Sequence, residues 1–298
     1  MSTPMQLFRF GDRGGELPGV VYQGRSLDVS KFGQDYDGRF FATDGPKRLA
    51  QWLTQEAPAC PEVKVGSADV AQARPGERLG PPLCAPSKIV CVGLNYREHA
   101  RETGATLPKE PKLFFKATSA LAGPYDDLEL PRGSTHTDWE VELAVIIGRT
   151  AKYVSIEAAM THVAAFAVMN DYSERHFQKE REGQWMKGKS HDGFAPLGPY
   201  LVTPDAVDFR NLSLWLEVNG VRRQHSSTAD MVFDVPTLVS YISEFMTLLP
   251  GDVISTGTPP GVGLGMKPPL FLAPGDMVRY GIDGLGEAAQ HIVAPTQR

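Results

Sequence analysis

Apolar residues recur along this chain mostly with period two, in short runs separated by glycine, proline and asparagine. The clearest run is Thr137–Gly148, where Val141, Leu143, Val145 and Ile147 alternate with the intervening positions and β-branched residues fill the second half, as in a strand. Lys88–Val92 is a short buried strand leading through Gly93 to Asn95. Pro111–Ala117 is another, with Lys116 near its end, and Phe166–Met169 a third that stops at Asn170-Asp171. Leu214–Gln224 reads as a hairpin, because Asn219-Gly220 suits a type I′ turn. Phe271–Tyr280 and Ala288–Val293 read as closing strands. Helical spacing is rarer. It marks Pro46–Glu56, through Leu49, Trp52 and Leu53, and the stretch after Asn95, with Asn95 as its cap. Ser155–Val163 and Ser173–Arg181 read as helices with serine caps, and Val235–Met246 as a helix with Leu238, Val239, Ile242, Phe245 and Met246 inward. Many short strands and few helices predict an α+β, β-rich fold with a roll-like or barrel-like core.

Residues 1–80, with short strands at Met5–Phe10 and Gly19–Tyr22, look like a small N-terminal α+β domain. The Pro- and Gly-rich Arg74–Pro86 is the linker candidate, and residues 86–298 form the main domain. The 298 residues, 42% hydrophobic and 22% charged, suffice for one large domain or a large and a small one. A net charge of −5 argues against general affinity for nucleic acid or anionic membrane. Cys60, Cys84 and Cys91 are odd in number and lack C-x-x-C spacing, so neither a disulfide framework nor a zinc site is expected. Met1–Phe10 lacks the pattern of a signal peptide, and no uncharged apolar run approaches the roughly 18 residues of a membrane helix. A cytoplasmic enzyme acting on a small molecule is the expectation.

The candidate chemistry begins on the Thr137–Gly148 strand. Period two puts Glu140 and Glu142 on one face, about 7 Å apart, where they repel unless a cation lies between them. Asp171 at the end of the Phe166 run offers a third carboxylate, and hard cations such as Mg²⁺, Mn²⁺ or Ca²⁺ prefer such oxygen donors. His99 and Glu102, three apart on a helix, could act as a general base and its partner. Arg175 and Gln178 share a helix face in the same way. The Gly-rich Gly183–Pro199 carries Lys187, Lys189, His191 and Asp192, where basic groups would suit an anionic substrate. Thr256–Gly261 lacks the phosphate-loop patterns and reads as a loop lying against substrate backbone, with Thr258 as a donor. Ala105–Pro111 is a polar loop that could close over a site. Taken singly, each motif also describes a solvated edge or a surface pair.

Together and in this order, the motifs VGLNYREH (92–99), WEVEL (139–143), NDYSER (170–175), GKSHDGFAPLGP (188–199) and GDVISTGTPPGVG (251–263) resemble the fumarylacetoacetate hydrolase superfamily over residues 86–290. The resemblance implies a mixed β-roll fold, homodimers, and Mg²⁺ or Mn²⁺ held by Glu140, Glu142 and Asp171. It implies catalytic roles for His99, Glu102 and Lys189, and substrate contacts from Tyr96, Arg175, Gln178 and Thr258. One departure is His191 where phenylalanine is common, which would bring a polar group to the pocket.

For a metal-chelated 2-oxo acid, this set suits cleavage of an acylpyruvate, with His99 and Glu102 activating water and pyruvate leaving as an enolate that Lys189 balances. The segments Gly263–Leu272 and Gly281–Glu287 are similar to members acting on diketo-deoxy sugar acids such as 2,4-diketo-3-deoxy-L-fuconate, with pyruvate and L-lactate as products. Decarboxylation of oxaloacetate, isomerisation of a 2-oxo-ene-dioate, or dehydration of a 2-keto-3-deoxy sugar acid would pass through the same enolate, so the family alone leaves the reaction open.

Overall fold

The computed structural model describes residues 5–65, 77–102, 104 and 106–296. Residues 1–4, part of the span read for a leader, residues 74–76 of the predicted linker, and Ala105 of the predicted closing loop lie outside the described residues. Two large sheets organise the chain. The ten-stranded sheet runs, edge to edge, Arg25–Asp28, Leu17–Tyr22, Gln6–Phe10, Leu201–Val202, Val163–Asn170, Val141–Ile147, Val253–Ser255, Ile89–Gly93 and Lys112–Lys116, with Leu79–Gly80 also paired to Gln6–Phe10. The five-stranded sheet runs Val221–Ser227, Ser213–Val218, Met277–Ile282, Gly286–Val293 and Leu128–Glu129. The Val141–Ile147 strand packs against Ser213–Val218 and Met277–Ile282 of that second sheet. The fold is α+β and sheet-rich. Among the described residues no helix is long and apolar enough to cross a membrane.

Burial explains where periodicity misleads. Every residue of Val141–Ile147 is buried, because neighbours cover both faces, so the alternation there does not separate core from solvent. The Thr137–Gly148 run is also not one strand: Thr137–Asp138 turns away to pair with Ser173–Glu174. That pairing takes Ser173 out of its expected cap role. The helix is Arg175–Lys179, capped by Glu174, whose carboxylate accepts from the His176 amide at 3.3 Å. Asn95 likewise reaches outward, donating to the carbonyls of Thr256 and Phe233 and accepting from the Phe233 amide. The closing strand begins at Met277, not Phe271. Val235–Phe245 is helical as expected, capped by Asp234, yet Phe245 points outward at 63% exposure. The hairpin turn forms with positive φ at Asn219 (52°) and Gly220 (75°), the pair of angles a type I′ turn demands.

Candidate active site

Antiparallel register brings the carboxylates together. Val141 lies opposite Asn170, so the preceding Glu140 falls opposite the following Asp171, and the Asp171 amide donates to the Glu140 carbonyl at 2.8 Å. On the other flank, pairing of Ala144 with Ser255 carries Gly257 beside Glu142. One carboxylate oxygen from each of Glu140, Glu142 and Asp171 lies within 4.8 Å of the others, and all three residues are buried. Glu140 and Glu142 reach the wall of a cavity of ≈ 210 Å³; Asp171 meets that wall only through Lys189, which donates to Glu140 at 2.6 Å and to Asp171 at 2.7 Å.

Lys189 ends a short helix, Met186–Lys189, inside the stretch expected as loop. That helix lies so close to Arg175–Lys179 that a Cβ on Gly188 would come within 2.4 Å of the Glu174 carbonyl and 2.6 Å of the Gln178 amide. Arg175 donates to Asp138 at 2.8 Å, to Glu140 at 2.6 Å and to Gln178 at 3.1 Å, fixing all three. The ammonium of Lys189 also stands 5.0 Å from the centre of the Phe114 ring.

His99 lines the same cavity, with Nδ1 3.2 Å from Glu102. The Glu102 oxygens accept from the Gly261 amide at 3.0 and 3.2 Å, and the Gly261 carbonyl accepts from Trp139 Nε1 at 3.0 Å. Thr258 is on the wall. Its hydroxyl donates to the Val141 carbonyl and accepts from Gln224, so this arrangement turns its proton away from the cavity. Tyr96 is not on the wall; it is fully buried and its hydroxyl has no partner among the described residues. His191 is also off the wall, edge-on to Phe194 at 5.3 Å, while Lys187 is exposed and donates to the Arg181 carbonyl. The wall also carries Gln178 and Lys179, and apolar side chains from Val92, Leu94, Phe114, Trp185, Val262 and Leu264.

Sequence reasoning passed over three groups. Lys116 donates to Asp171 at 2.5 Å, Asp138 anchors Arg175 and the amides of Gly263 and Leu264, and Gln224 ties Val141 to Thr258 and Pro259. A lysine closing the apolar run Leu113-Phe-Phe was the one readable signal among them.

The electrostatics are uneven. Burial would raise the pKa of Glu140, but Lys189 and Arg175 outweigh it and hold the carboxyl well below its usual range. Burial, then Asp171 and Glu140, push Glu142 well above that range. Lys189 has its ammonium opposed by burial, yet Asp171 and Glu140 raise its pKa. Ionised, Glu142 would carry a charge that its surroundings compensate poorly: among the described residues it accepts from the neutral Ser255 hydroxyl (2.6 Å) and Gly257 amide (2.8 Å). Three oxygen donors converging with negative charge to spare fit a hard divalent cation.

Comparisons with known proteins follow the same lines. The family described as fumarylacetoacetate (FAA) hydrolase C-terminal matches residues 88–293. The 2,4-didehydro-3-deoxy-L-rhamnonate hydrolase of Sphingomonas sp. (strain SKA58) is 45% identical over 291 residues, covering 97% of this chain and 96% of its own. A fumarylacetoacetate hydrolase from psychrophilic Exiguobacterium antarcticum superposes with a TM-score of 0.82 at 35% identity, over 97% of this chain and 99% of the other. The maleylpyruvate hydrolase of Sphingobium sp. SYK-6, in complex with manganese(II) and pyruvate, has a TM-score of 0.77 at 31% identity, over 98% of this chain and 100% of the other.

Proposed function

This chain belongs to the fumarylacetoacetate hydrolase family, and from that premise we propose that it hydrolyses the carbon–carbon bond of a short 2,4-dioxo acid, releasing pyruvate and a carboxylic acid. The observation that carries the reading is one cavity whose wall brings together Glu140, Glu142, Arg175, Lys189 and His99 with several apolar side chains. Glu140, Glu142 and Asp171 would hold Mg²⁺ or Mn²⁺. When bound, such an ion supplies Lewis acidity toward the 2-oxo acid end of the substrate.

The chain's own groups account for the rest. Arg175 and Lys189 offer positive charge to the substrate carboxylate, and Gln178 offers its amide. His99, oriented by Glu102, takes a proton from water as its oxygen bonds to C4. The C3–C4 bond then breaks, its electron pair passing to C3 as the pyruvate enolate, and a proton returned to C3 completes pyruvate. Lys189 offsets the charge of the enolate.

The cavity volume of ≈ 210 Å³ is below the roughly 300–1,000 Å³ of drug-sized ligand sites, which favours a compact substrate. The apolar side chains of the wall suit a methyl-bearing substrate. A 2,4-diketo-3-deoxy-L-fuconate substrate and the rhamnonate compound of the Sphingomonas relative are in fact one molecule. Oxo groups at C2 and C4 and a methylene at C3 erase every stereocentre but C5, and both parent sugars are of the L series there. We take that acid as the substrate, with pyruvate and L-lactate as products, in a cytoplasmic homodimer.

The test is an assay with Mn²⁺ or Mg²⁺ on this acid, acetylpyruvate, oxaloacetate and a 2-keto-3-deoxy sugar acid, with products read by NMR. Pyruvate with L-lactate is expected from the first. Carbon dioxide from oxaloacetate as the main turnover, or a dehydrated keto acid, would overturn the hydrolase reading.

A further inference from the structure

The three carboxylates share a pattern that hydrolysis does not by itself require. Each has one oxygen tied to the protein: Oε1 of Glu140 by Arg175 at 2.6 Å, Oε2 of Glu142 by Ser255 and Gly257, and Oδ1 of Asp171 by Lys116 at 2.5 Å. The remaining oxygens are used differently. Oε2 of Glu140 and Oδ2 of Asp171 accept from the Lys189 ammonium, and Oε1 of Glu142 has no hydrogen-bond donor among the described residues. Three carboxylates thus present three single oxygens to one space.

Lys116 is the least expected of the ties. It ends the Lys112–Lys116 strand, its side chain is completely buried, and its second hydrogen bond goes to the Tyr172 carbonyl at 3.0 Å. It is not on the cavity wall, so it does not reach a substrate. Its compact ammonium holds Oδ1 of Asp171 alone and leaves Oδ2 to Lys189, which contacts it at 2.7 Å.

We propose that Lys116 is a positioning residue that restricts Asp171 to one metal-facing oxygen and so makes the centre discriminate against Ca²⁺ in favour of Mg²⁺ and Mn²⁺. The proposal rests on the metal reading above. Mg²⁺ demands near-octahedral coordination at about 2.0–2.1 Å and keeps several waters, so three single protein oxygens suit it. Ca²⁺ takes about 6–8 oxygens at longer distance and often gains some of them by bidentate carboxylates, which these ties disfavour. Removing Lys116 frees Oδ1 of Asp171 and opens that option.

The experiment is calorimetric titration of Mn²⁺, Mg²⁺ and Ca²⁺ into metal-free wild type and Lys116→Met, without substrate, with circular dichroism confirming the fold. Loss of a buried positive charge tightens all three ions, so the readout is the ratio of Ca²⁺ to Mn²⁺ dissociation constants. Wild type is expected to favour Mn²⁺, and Lys116→Met to narrow that ratio by about tenfold, the lower end of effects seen on changing outer-shell partners. Should Lys116→Met fail to fold, Ser255→Ala loosens the tied oxygen of Glu142 without altering charge and is expected to narrow the ratio in the same direction. An unchanged ratio in the folded variant overturns the proposal while leaving the metal reading intact. Absence of divalent binding by wild type overturns both.

Discussion

Two groups of charges in this protein each centre on three cations, and they are arranged very differently. Near the N-terminal strands, Arg9 grips both oxygens of Asp35 at 2.8 Å, Arg78 grips both of Asp126 at 2.7 and 2.8 Å, and Glu16 lies 2.9 Å from Arg78 and 3.7 Å from Arg9, with Arg13 3.2 Å from Asp126. Burial opposes the charges of Glu16 and Asp126, but the arginines lower both pKa values. At and behind the cavity wall, Lys189, Arg175 and Lys116 pair with Glu140 and Asp171, and Glu142 has no ion-pair partner among the described residues. In the first group one arginine takes both oxygens of one carboxylate; in the second, separate cations take the oxygens of Glu140 and Asp171 one at a time. The first group ties strands to the Gly123–Asp126 turn, and the second stays chemically hungry.

The largest test of that contrast is Glu142→Ala. Removing the uncompensated carboxylate should weaken Mn²⁺ binding by more than about 100-fold, beyond the range for outer-shell changes, with pyruvate formation lost in parallel. Turnover that persists in a chelator would erase the distinction. Next is His99→Ala, expected to cut hydrolysis by at least about 10²-fold, the scale of a lost general base, while calorimetry shows unaltered Mn²⁺ affinity. Unchanged turnover would remove His99 from the reaction.

The arginine group should answer to stability alone. Breaking a buried pair costs about 3–5 kcal/mol, and Arg78 is a quarter exposed, so Arg78→Met should cost about 2 kcal/mol in urea unfolding. A shifted Mn²⁺ affinity in that variant would show the two groups to be coupled. The smallest effect is in pH. Because Glu16 and Asp126 have lowered pKa values in the folded state, their contribution is complete above the unfolded carboxylate range near about 4 and fades as pH falls through the folded values. Below about pH 4, then, the stability gap between wild type and Arg78→Met should narrow. A constant gap down to pH 2 would count against these pairs.

Local pattern and long-range register contributed differently to what could be read in advance. Val141–Ile147, the Asn219-Gly220 hairpin and Val235–Phe245 follow from spacing and turn chemistry that nearby residues settle. Ser173 and Asn95 look like caps locally, yet distant partners claim them: Asp138 across a two-residue ladder, and the backbone of Phe233 and Thr256. Phe245 has helical spacing but falls at the last turn, past the helix's buried face. For the site, Glu140, Glu142 and Asp171 stand out because carboxylates beside apolar runs need a reason. Lys116, Asp138 and Gln224 do not, since each acts on a group between 37 and 83 residues away and only the sheet pairing brings them there.

The bond from the Gly261 amide to Glu102 ties base alignment to the posture of a separate segment. Glu102 orients His99 only while its helix rests against the Gly-rich loop that Trp139 holds in place. In the reaction proposed above, a displacement of that loop would loosen the Glu102–His99 pair and so weaken the base.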